Sequence, residues 1–113
     1  MPKFILSYQQ PRGYTMRTDD DTTASWMAFF ETIGDHVVEP GQPVFQQTEL
    51  GATGDGTQLG GYSIVEAASL EDAVALAKHS PTLSNGGGVQ VGELADLPPE
   101  HPASQLKARF ANR

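Results

Sequence analysis

The stretch that decides the fold is residues 59–94, LGGYSIVEAASLEDAVALAKHSPTLSNGGGVQVGEL. Residues 62–67 are rich in β-favouring side chains that alternate between two faces, so they predict a strand. Ser69 predicts the N-cap of a helix, because Asp72 follows it three residues later in an acidic version of the capping box. A proline ends that helix, and three glycines then lead into a strand over residues 89–94.

The predicted helix in this stretch has one apolar face. Its members recur at the i, i+3, i+4, i+7 spacing that places side chains on one side of a helix: Leu70, Ala73, Val74 and Ala77. We expect this face to pack against a core. The whole stretch therefore predicts strand, helix and strand in succession.

The residues before this stretch predict another strand and a heavier helix. Residues 3–9 alternate, with Phe4, Leu6 and Tyr8 on one face. A helix is predicted over residues 23–34. Its apolar face is the heaviest in the chain and consists of Trp26, Phe29, Phe30 and Ile33. Because burying such an aromatic side chain stabilises a fold by roughly 1.5–3 kcal/mol, we expect this helix to anchor the core.

The remaining segments are less regular. Residues 44–50 are predicted as a strand, and residues 51–61, which contain five glycines and Asp55, as a turn or mobile loop. Residues 98–113 form a tail after the predicted domain of residues 1–97. Its prolines prevent regular structure at its start. One short amphipathic helix is predicted beyond them, and it would need a docking surface because short helices are marginal alone. It carries Ala103, Leu106, Lys107 and Phe110.

Length and composition predict one ordinary domain. A chain of 113 residues is long enough for a single core. No apolar run approaches the roughly 20 residues that span a bilayer, and the N-terminal apolar run is too short for a signal peptide. The chain has no cysteine, which excludes disulfides, zinc-thiolate sites, iron–sulfur clusters and thiol catalysis. We expect a cytoplasmic protein with no membrane partner.

The charge balance argues against nucleic acid as a partner. Seven Lys and Arg against 14 Asp and Glu give a formal net charge of −7, which repels phosphate backbones. Asp19, Asp20 and Asp21 precede the first predicted helix, where acids favour the helix dipole. No two histidines have the i, i+3 or i, i+4 spacing of a helical metal pair. The sequence therefore predicts neither a metal nor a cofactor.

The order of elements, β-α-β-β-α-β, predicts a ferredoxin-like α+β fold. In it a four-stranded antiparallel sheet carries both helices on one face. The other face needs a cover, since we expect Ile5, Val65 and Val91 to lie on it. Association of two sheets through this face is the economical solution, so the sequence predicts a symmetric homodimer.

Two segments resemble one known family. Residues 59–94 resemble the second half of YCII-related proteins of the DGPF-type branch, and residues 25–44, SWMAFFETIGDHVVEPGQPV, resemble the first-helix region of that branch. The resemblance implies a bacterial protein with the ferredoxin-like subunit of the dimeric α/β-barrel superfamily. It also implies that most relatives have no assigned activity, and that such relatives accompany alternative sigma factors.

This chain departs from the family pattern at its functional residues. The DGPF signature is absent, and the glycine-rich residues 51–61 occupy that region. The YCII branch has a proposed catalytic pair of a helix-1 histidine and an aspartate after helix 2. Here the helix-1 region offers Trp26 and no histidine, and Ser80 precedes Pro81 where those relatives carry Asp-Pro. The chemistry of that pair therefore does not carry over.

His79 is the main candidate for catalysis. It lies at the end of the second predicted helix, where the dipole favours a protonated imidazole. We expect this helix end to face a pocket between helices and sheet, where His79 would act as acid, base or anion-holding group with Ser80 or Tyr62. The alternative is a helix-end residue that interacts with free carbonyls. His36 and His101 are predicted to lie at the surface.

Tyr8, Trp26 and Tyr62 are the candidate ligand-binding residues. Aromatic side chains with a polar rim are the usual lining of a small-molecule site. The alternative for Trp26 is core packing, because its helical neighbours are apolar. No G-x-S-x-G motif occurs, which argues against a hydrolase of that design.

Three functions stay open at this point. The first is a small-molecule-binding dimer without established catalysis. The second is an enzyme that uses His79 as general acid or base in a dimeric α/β-barrel pocket. The third is a regulatory or interaction module associated with a sigma factor, for which the tail would supply the docking helix.

Overall fold

The computed structural model describes residues 1–54 and 56–111. Its elements follow the predicted β-α-β-β-α-β order and add one C-terminal helix. The strands are β1 (Lys3–Pro11), β2 (Val37–Glu39), β3 (Thr57–Glu66) and β4 (Gly88–Glu93). The helices are α1 (Asp20–Ile33), α2 (Leu70–Ala77) and α3 (Pro102–Arg109), and two short 3₁₀ turns cover Gly34–His36 and Pro81–Asn85.

The strands form one antiparallel sheet in the order β2-β3-β1-β4. The two longest strands, β1 and β3, pair at its centre, with Phe4 opposite Val65 and Leu6 opposite Ser63. This order, with two helical crossovers, is the ferredoxin-like α+β fold. The predicted fold class is confirmed.

The core lies between one face of the sheet and the helices. Every second residue of β1 is buried, because successive side chains of a strand point to opposite faces. Residues Phe29 and Ile33 of α1 and Ala73 and Ala77 of α2 close the same core, so both helices cover one face as predicted. The buried apolar residues are Phe4, Leu6, Tyr8, Phe29, Ile33, Val65, Ala67, Ala73 and Ala77.

Both main helices begin at a side-chain cap. Ser69 Oγ accepts a hydrogen bond from the amide of Asp72 at 3.1 Å, which confirms the predicted N-cap of α2. The carboxylate of Asp19 accepts from the amide of Thr22 at 2.8 Å. This cap starts α1 at Asp20, three residues earlier than predicted, since a satisfied N-terminal amide stabilises the first turn.

The prediction for the second strand is wrong. Residues 44–50 form no strand, and β2 is the three-residue Val37–Glu39. Pro40 and Pro43 interrupt the ladder beyond it, because proline lacks the N–H that a strand donates. The chain nevertheless follows the edge of β3, where the amide of Val44 donates to the carbonyl of Gly60 at 3.0 Å.

The predicted loop over residues 51–61 is too long. β3 begins at Thr57, so the second half of that segment belongs to the sheet and pairs with the end of β1. Pairing with an existing strand outweighs the low β-propensity of glycine. Asp55, which the prediction included, lies outside the described residues.

The residues predicted for the open face of the sheet are partly wrong. Val65 pairs with Phe4 and Val91 pairs with Leu6, and paired residues of adjacent strands share a face, so both valines lie on the helix-covered side. The open face instead carries Ile5 opposite Ile64, both half-buried. Because side chains alternate along a strand with a period of two, either face can be the buried one. Only the strand register decides which face it is.

The apolar face of α2 is narrower than predicted. Ala73 and Ala77 are buried, whereas Leu70 and Val74 are 49% and 37% exposed. The two alanines are small enough to let the helix approach the sheet closely. The larger residues Leu70 and Val74 therefore lie at the edge of the contact between the helix and the sheet.

The tail contains the predicted short helix, α3, and none of its residues is buried. The side chain of His101 caps it by accepting from the amide of Ala103 at 3.0 Å. Ser104 Oγ donates to the carbonyl of Pro98 at 2.9 Å, which ties the helix to its own linker. Residues 112 and 113 lie outside the described residues, and a docking role for the tail stays a prediction.

No helix in the described residues has the length and apolar character needed to cross a membrane.

We expect Gly41→Ala to destabilise the protein much more than Gly51→Ala. The two glycines have nearly the same left-handed φ, 73° and 71°, so each alanine adds strain of about 1–2 kcal/mol. A Cβ at Gly41 would also overlap the backbone carbonyl of Tyr62, whereas one at Gly51 meets nothing within 4 Å. Urea unfolding should therefore show at least twice the loss for Gly41→Ala. Equal losses of stability in the two variants would mean that the close contact of residues 40–45 with β3 contributes nothing to stability.

Candidate ligand-binding cavity

A partly open cavity of about 500 Å³ lies at one end of the sheet. Its walls come from α1, from the ends of β1 and β3, and from two irregular segments, residues 14–18 and 40–45. Irregular backbone forms these two walls because proline and glycine end regular pairing beyond β1 and β2. Cavities of about this size accommodate small organic molecules.

Aromatic rings form the inner wall. Tyr8 and Trp26 meet edge to face with ring centroids 4.9 Å apart, and Phe30 lies 6.2 Å from Trp26. Phe29 packs behind both, 5.9 Å from Tyr8 and 5.7 Å from Trp26. These contacts hold the rings in place, since edge-to-face aromatic pairs stabilise beyond the area that they bury. The wall is therefore formed before any ligand arrives.

A chain of hydrogen bonds connects the aromatic inner wall to the wall formed by residues 40–45. The hydroxyl of Tyr8 donates to Ser63 Oγ at 2.8 Å, and Ser63 donates to the carbonyl of Pro40 at 2.6 Å. Burial raises the pKa of Tyr8 to about 12, although the hydrogen bond with Ser63 acts in the opposite direction. Tyr8 is therefore neutral at physiological pH. It can hold a ligand by its ring and its hydroxyl oxygen but does not serve as a base.

Gln10 is the polar group left without a partner. The residue is 4% exposed and lines the cavity, and its Oε1 has no hydrogen-bond partner among the described residues. A second amide in the wall, that of Gln58, donates to the carbonyl of Tyr14 at 2.8 Å and so holds residues 14–18 against β3. A buried acceptor without a partner is unusual in a folded protein.

The charged side chains lie at the margin of the cavity. Arg17 is the one charged side chain among the described lining residues, and it pairs with Asp19 at 2.7 Å. Tyr62 donates to the carboxylate of Glu39 at 3.2 Å, and this hydrogen bond raises the pKa of the tyrosine. The interior of the cavity is therefore uncharged, which favours neutral molecules over ions.

The structure brings together the three candidate ligand-binding residues. Tyr8, Trp26 and Tyr62 all line the cavity, although their binding of a ligand stays a prediction. Trp26 also packs on the core, so both interpretations of this residue describe part of its environment.

The structure does not bring the two candidate catalytic residues into the cavity. His79 is exposed and does not line it, because α2 packs at β4 whereas the cavity lies under α1. Ser80 is buried, and its hydroxyl lies 2.8 Å from that of Thr82 and caps the turn Pro81–Asn85. The expected meeting of His79 with Tyr62 is therefore not found. Catalysis by His79 stays a prediction without a pocket to support it.

The other histidines have structural contacts. The prediction that His36 lies at the surface is wrong, because the residue is half-buried and its Nδ1 lies 3.0 Å from the carbonyl of Glu66. His101 is exposed, as predicted, and caps α3. Within residues 1–54 and 56–111, no group of three or more His, Asp or Glu side chains is placed to hold a metal ion.

Sequence reasoning missed Gln10 and the two irregular walls. A signal for Gln10 was present, because the inward-facing positions of β1 run Phe4, Leu6, Tyr8 and then Gln10. A polar residue at the end of an apolar series on the buried face indicates a site or a boundary of the core. No comparable signal places residues 14–18 and 40–45 opposite each other.

No protein-family model matches the chain, and no curated protein matches it. Among solved structures, the chain is similar to 5-chloro-2-hydroxyhydroquinone dehydrochlorinase (TftG) from Burkholderia phenoliruptrix AC1100, in complex with 2,5-dihydroxybenzoquinone. The two are 20% identical, with a TM-score of 0.57 over 84% of this chain and 95% of that one. This likeness establishes the shared α+β fold.

We expect the stability contributed by Tyr8 to be lost at alkaline pH. Its pKa is about 12 in the folded protein and about 10 in the unfolded chain, so between these values the unfolded state loses a proton that the folded state keeps. The free energy of unfolding should therefore fall as pH rises from 10 to 12, by about 3 kcal/mol in all.

The measurement is guanidinium unfolding of the native protein and of Tyr8→Phe at matched pH. Below pH 10 the difference between them should be constant, and towards pH 12 the curve of the native protein should fall relative to the variant. Parallel curves throughout would show that Tyr8 is not the buried hydroxyl described above.

Proposed function

We propose that this protein binds a small, neutral, largely apolar ring compound in the cavity beside Tyr8 and Trp26. The observation that carries the proposal is the cavity itself, which aromatic rings line without filling. Its volume of about 500 Å³ is within the range of small-molecule sites. An uncharged interior favours a ligand that need not shed a tightly bound hydration shell.

The similar solved structure supports the same class of ligand. TftG is in complex with 2,5-dihydroxybenzoquinone, a small flat ring. A flat ring is also the shape that packs against the faces and edges of Tyr8 and Trp26. The proposal extends to binding and not to the reaction that the name of that protein describes.

We also propose that the chain is a divergent relative of the YCII-related proteins. The support is the resemblance over residues 25–44 and 59–94 together with the ferredoxin-like order of elements. The enzymatic alternative built on His79 gains no support from its exposed position outside the cavity. The exposed α3 helix is compatible with an interaction module, but no contact of the described residues favours a particular partner.

The proposed assembly is a homodimer joined through the open face of the sheet. Ile5 and Ile64 lie opposite each other on this face, and none of the fully buried residues of β1 or β3 is on it. Lys3 and Glu66 flank them in the same register. A second copy would cover Ile5 and Ile64 with the same apolar pair, which is the self-complementary arrangement of a two-fold interface.

Binding can be tested with 4-methylphenol as the probe, followed by the indole N–H cross-peak of Trp26 in proton–nitrogen NMR spectra. Trp26 is the one tryptophan of the chain, so the signal needs no assignment. We expect saturable shifts of this peak. Met27→Glu, which puts a charge on the lining, should weaken binding about tenfold, the equivalent of roughly 1.4 kcal/mol.

The matched control is Leu70→Glu. Met27 and Leu70 are 58% and 49% exposed apolar residues of helices, but Leu70 lies outside the cavity, so this variant should bind as the native protein does. An unshifted peak at saturating probe, or equal weakening by both variants, would contradict a site at Trp26.

Sedimentation velocity tests the dimer. The native protein should sediment at twice the mass of the chain at micromolar concentration, and Ile64→Lys should sediment as a single chain, because a buried charge opposes association. Leu83→Lys is the control, since Leu83 is 47% exposed and lies outside the sheet. A native protein that sediments as one chain would rule the dimer out.

A further inference from the structure

One side chain in the cavity is buried, yet its acceptor oxygen makes no hydrogen bond within the described part of the fold. Gln10 is nearly fully buried, and its Oε1 is the one buried side-chain polar atom of the described residues without a hydrogen-bond partner. A buried acceptor of this kind lowers stability, because water is lost and nothing replaces it. An ordinary core residue at this position would be apolar.

The backbone makes room for this side chain. The register of β1 and β3 shifts between Tyr8 and Gln9, which leaves Gly60 of β3 beside the stem of Gln10. A Cβ on Gly60 would lie 2.6 Å from Gln10 Cγ, so any larger residue there would push the glutamine away. The bulge and the glycine together form a seat for Gln10.

Two other polar side chains that line the cavity already have partners. Tyr8 donates to Ser63, and Gln58 donates to the carbonyl of Tyr14. Gln10 follows Tyr8 by two residues on the same face of β1, so its amide lies beside the aromatic wall. The cavity therefore presents an aromatic surface together with the one buried side-chain acceptor of the described residues that lacks a partner.

We propose that Gln10 determines which ring compounds the cavity selects, by accepting a hydrogen bond from a ligand hydroxyl or N–H. This rests on the proposed function and adds the class of ligand, a neutral ring with a hydrogen-bond donor. The terminal torsion of glutamine is soft, so Oε1 turns toward the donor while the ring packs on Tyr8 and Trp26. A ring without a donor leaves the acceptor unpaired and is bound more weakly.

The experiment compares three probes by titration of the Trp26 indole cross-peak: 4-methylphenol, 4-methylanisole and toluene. The anisole is one methyl group larger than the phenol and toluene is one oxygen smaller, so the pair brackets the phenol in size while both lack the donor. The native protein should bind the phenol at least about tenfold more tightly than either.

Gln10→Met keeps the length of the side chain and removes the amide. It should abolish the preference, by weakening the binding of the phenol and strengthening that of toluene. It should also raise the melting temperature of the free protein, because the unpaired acceptor is gone. Gln9→Met is the matched control on the opposite face of the same strand, and it should keep the preference. Gly60→Ala, which displaces the glutamine stem, should reduce the preference while the amide is still present.

The outcomes separate the two proposals. If none of the probes shifts the Trp26 peak, the proposed function fails. If all three bind with equal affinity, or if the preference survives in Gln10→Met, the cavity binds rings but Gln10 does not select them. A loss of preference in Gln10→Met and Gly60→Ala, with retention in Gln9→Met, is the result that supports selection by Gln10.

Discussion

The pairing register of β1 with β3 is the constraint on which the rest of the structure depends. With Phe4 opposite Val65, the even-numbered residues of β1 face the helices and the odd-numbered ones face away. A slip of one residue would turn every one of these side chains to the other face. The register is stable because it buries Phe4, Leu6 and Val65 together under α1 and α2, and the alternative would expose them.

The same register places the cavity. Beyond Tyr8 the two strands continue past a bulge, and the helix layer no longer covers them completely. Residues 14–18 and 40–45 fill this gap only in part, held by Gln58 and by the chain from Tyr8 through Ser63 to Pro40. The space that they leave is bounded by aromatic rings already fixed by the core. The site is thus a continuation of the core, which explains its apolar lining.

Polar side chains in and behind the cavity wall differ in their hydrogen bonding. Tyr8, Ser63 and Gln58 satisfy each other or the backbone, and they hold the walls. The side-chain oxygen of Gln10 has no partner among the described residues, although β1 carries the residue to a nearly fully buried position. Because the net stability of a small protein is modest, a buried acceptor without a partner lowers the free energy of unfolding by a measurable amount. Its position at the cavity is what distinguishes this end of the sheet from the rest of the core.

The sequence by itself determined the order of elements, the cap at Ser69, the aromatic face of α1 and thereby the ferredoxin-like fold, because periodicity, capping and turn residues act over a few neighbouring positions. It also indicated Tyr8, Trp26 and Tyr62 as lining residues. Only the tertiary structure decided that β2 is Val37–Glu39, that Val65 faces inward, and that His79 lies away from the cavity. Those facts depend on strand register and on which loops meet at the sheet end, and these are contacts between residues far apart in the chain.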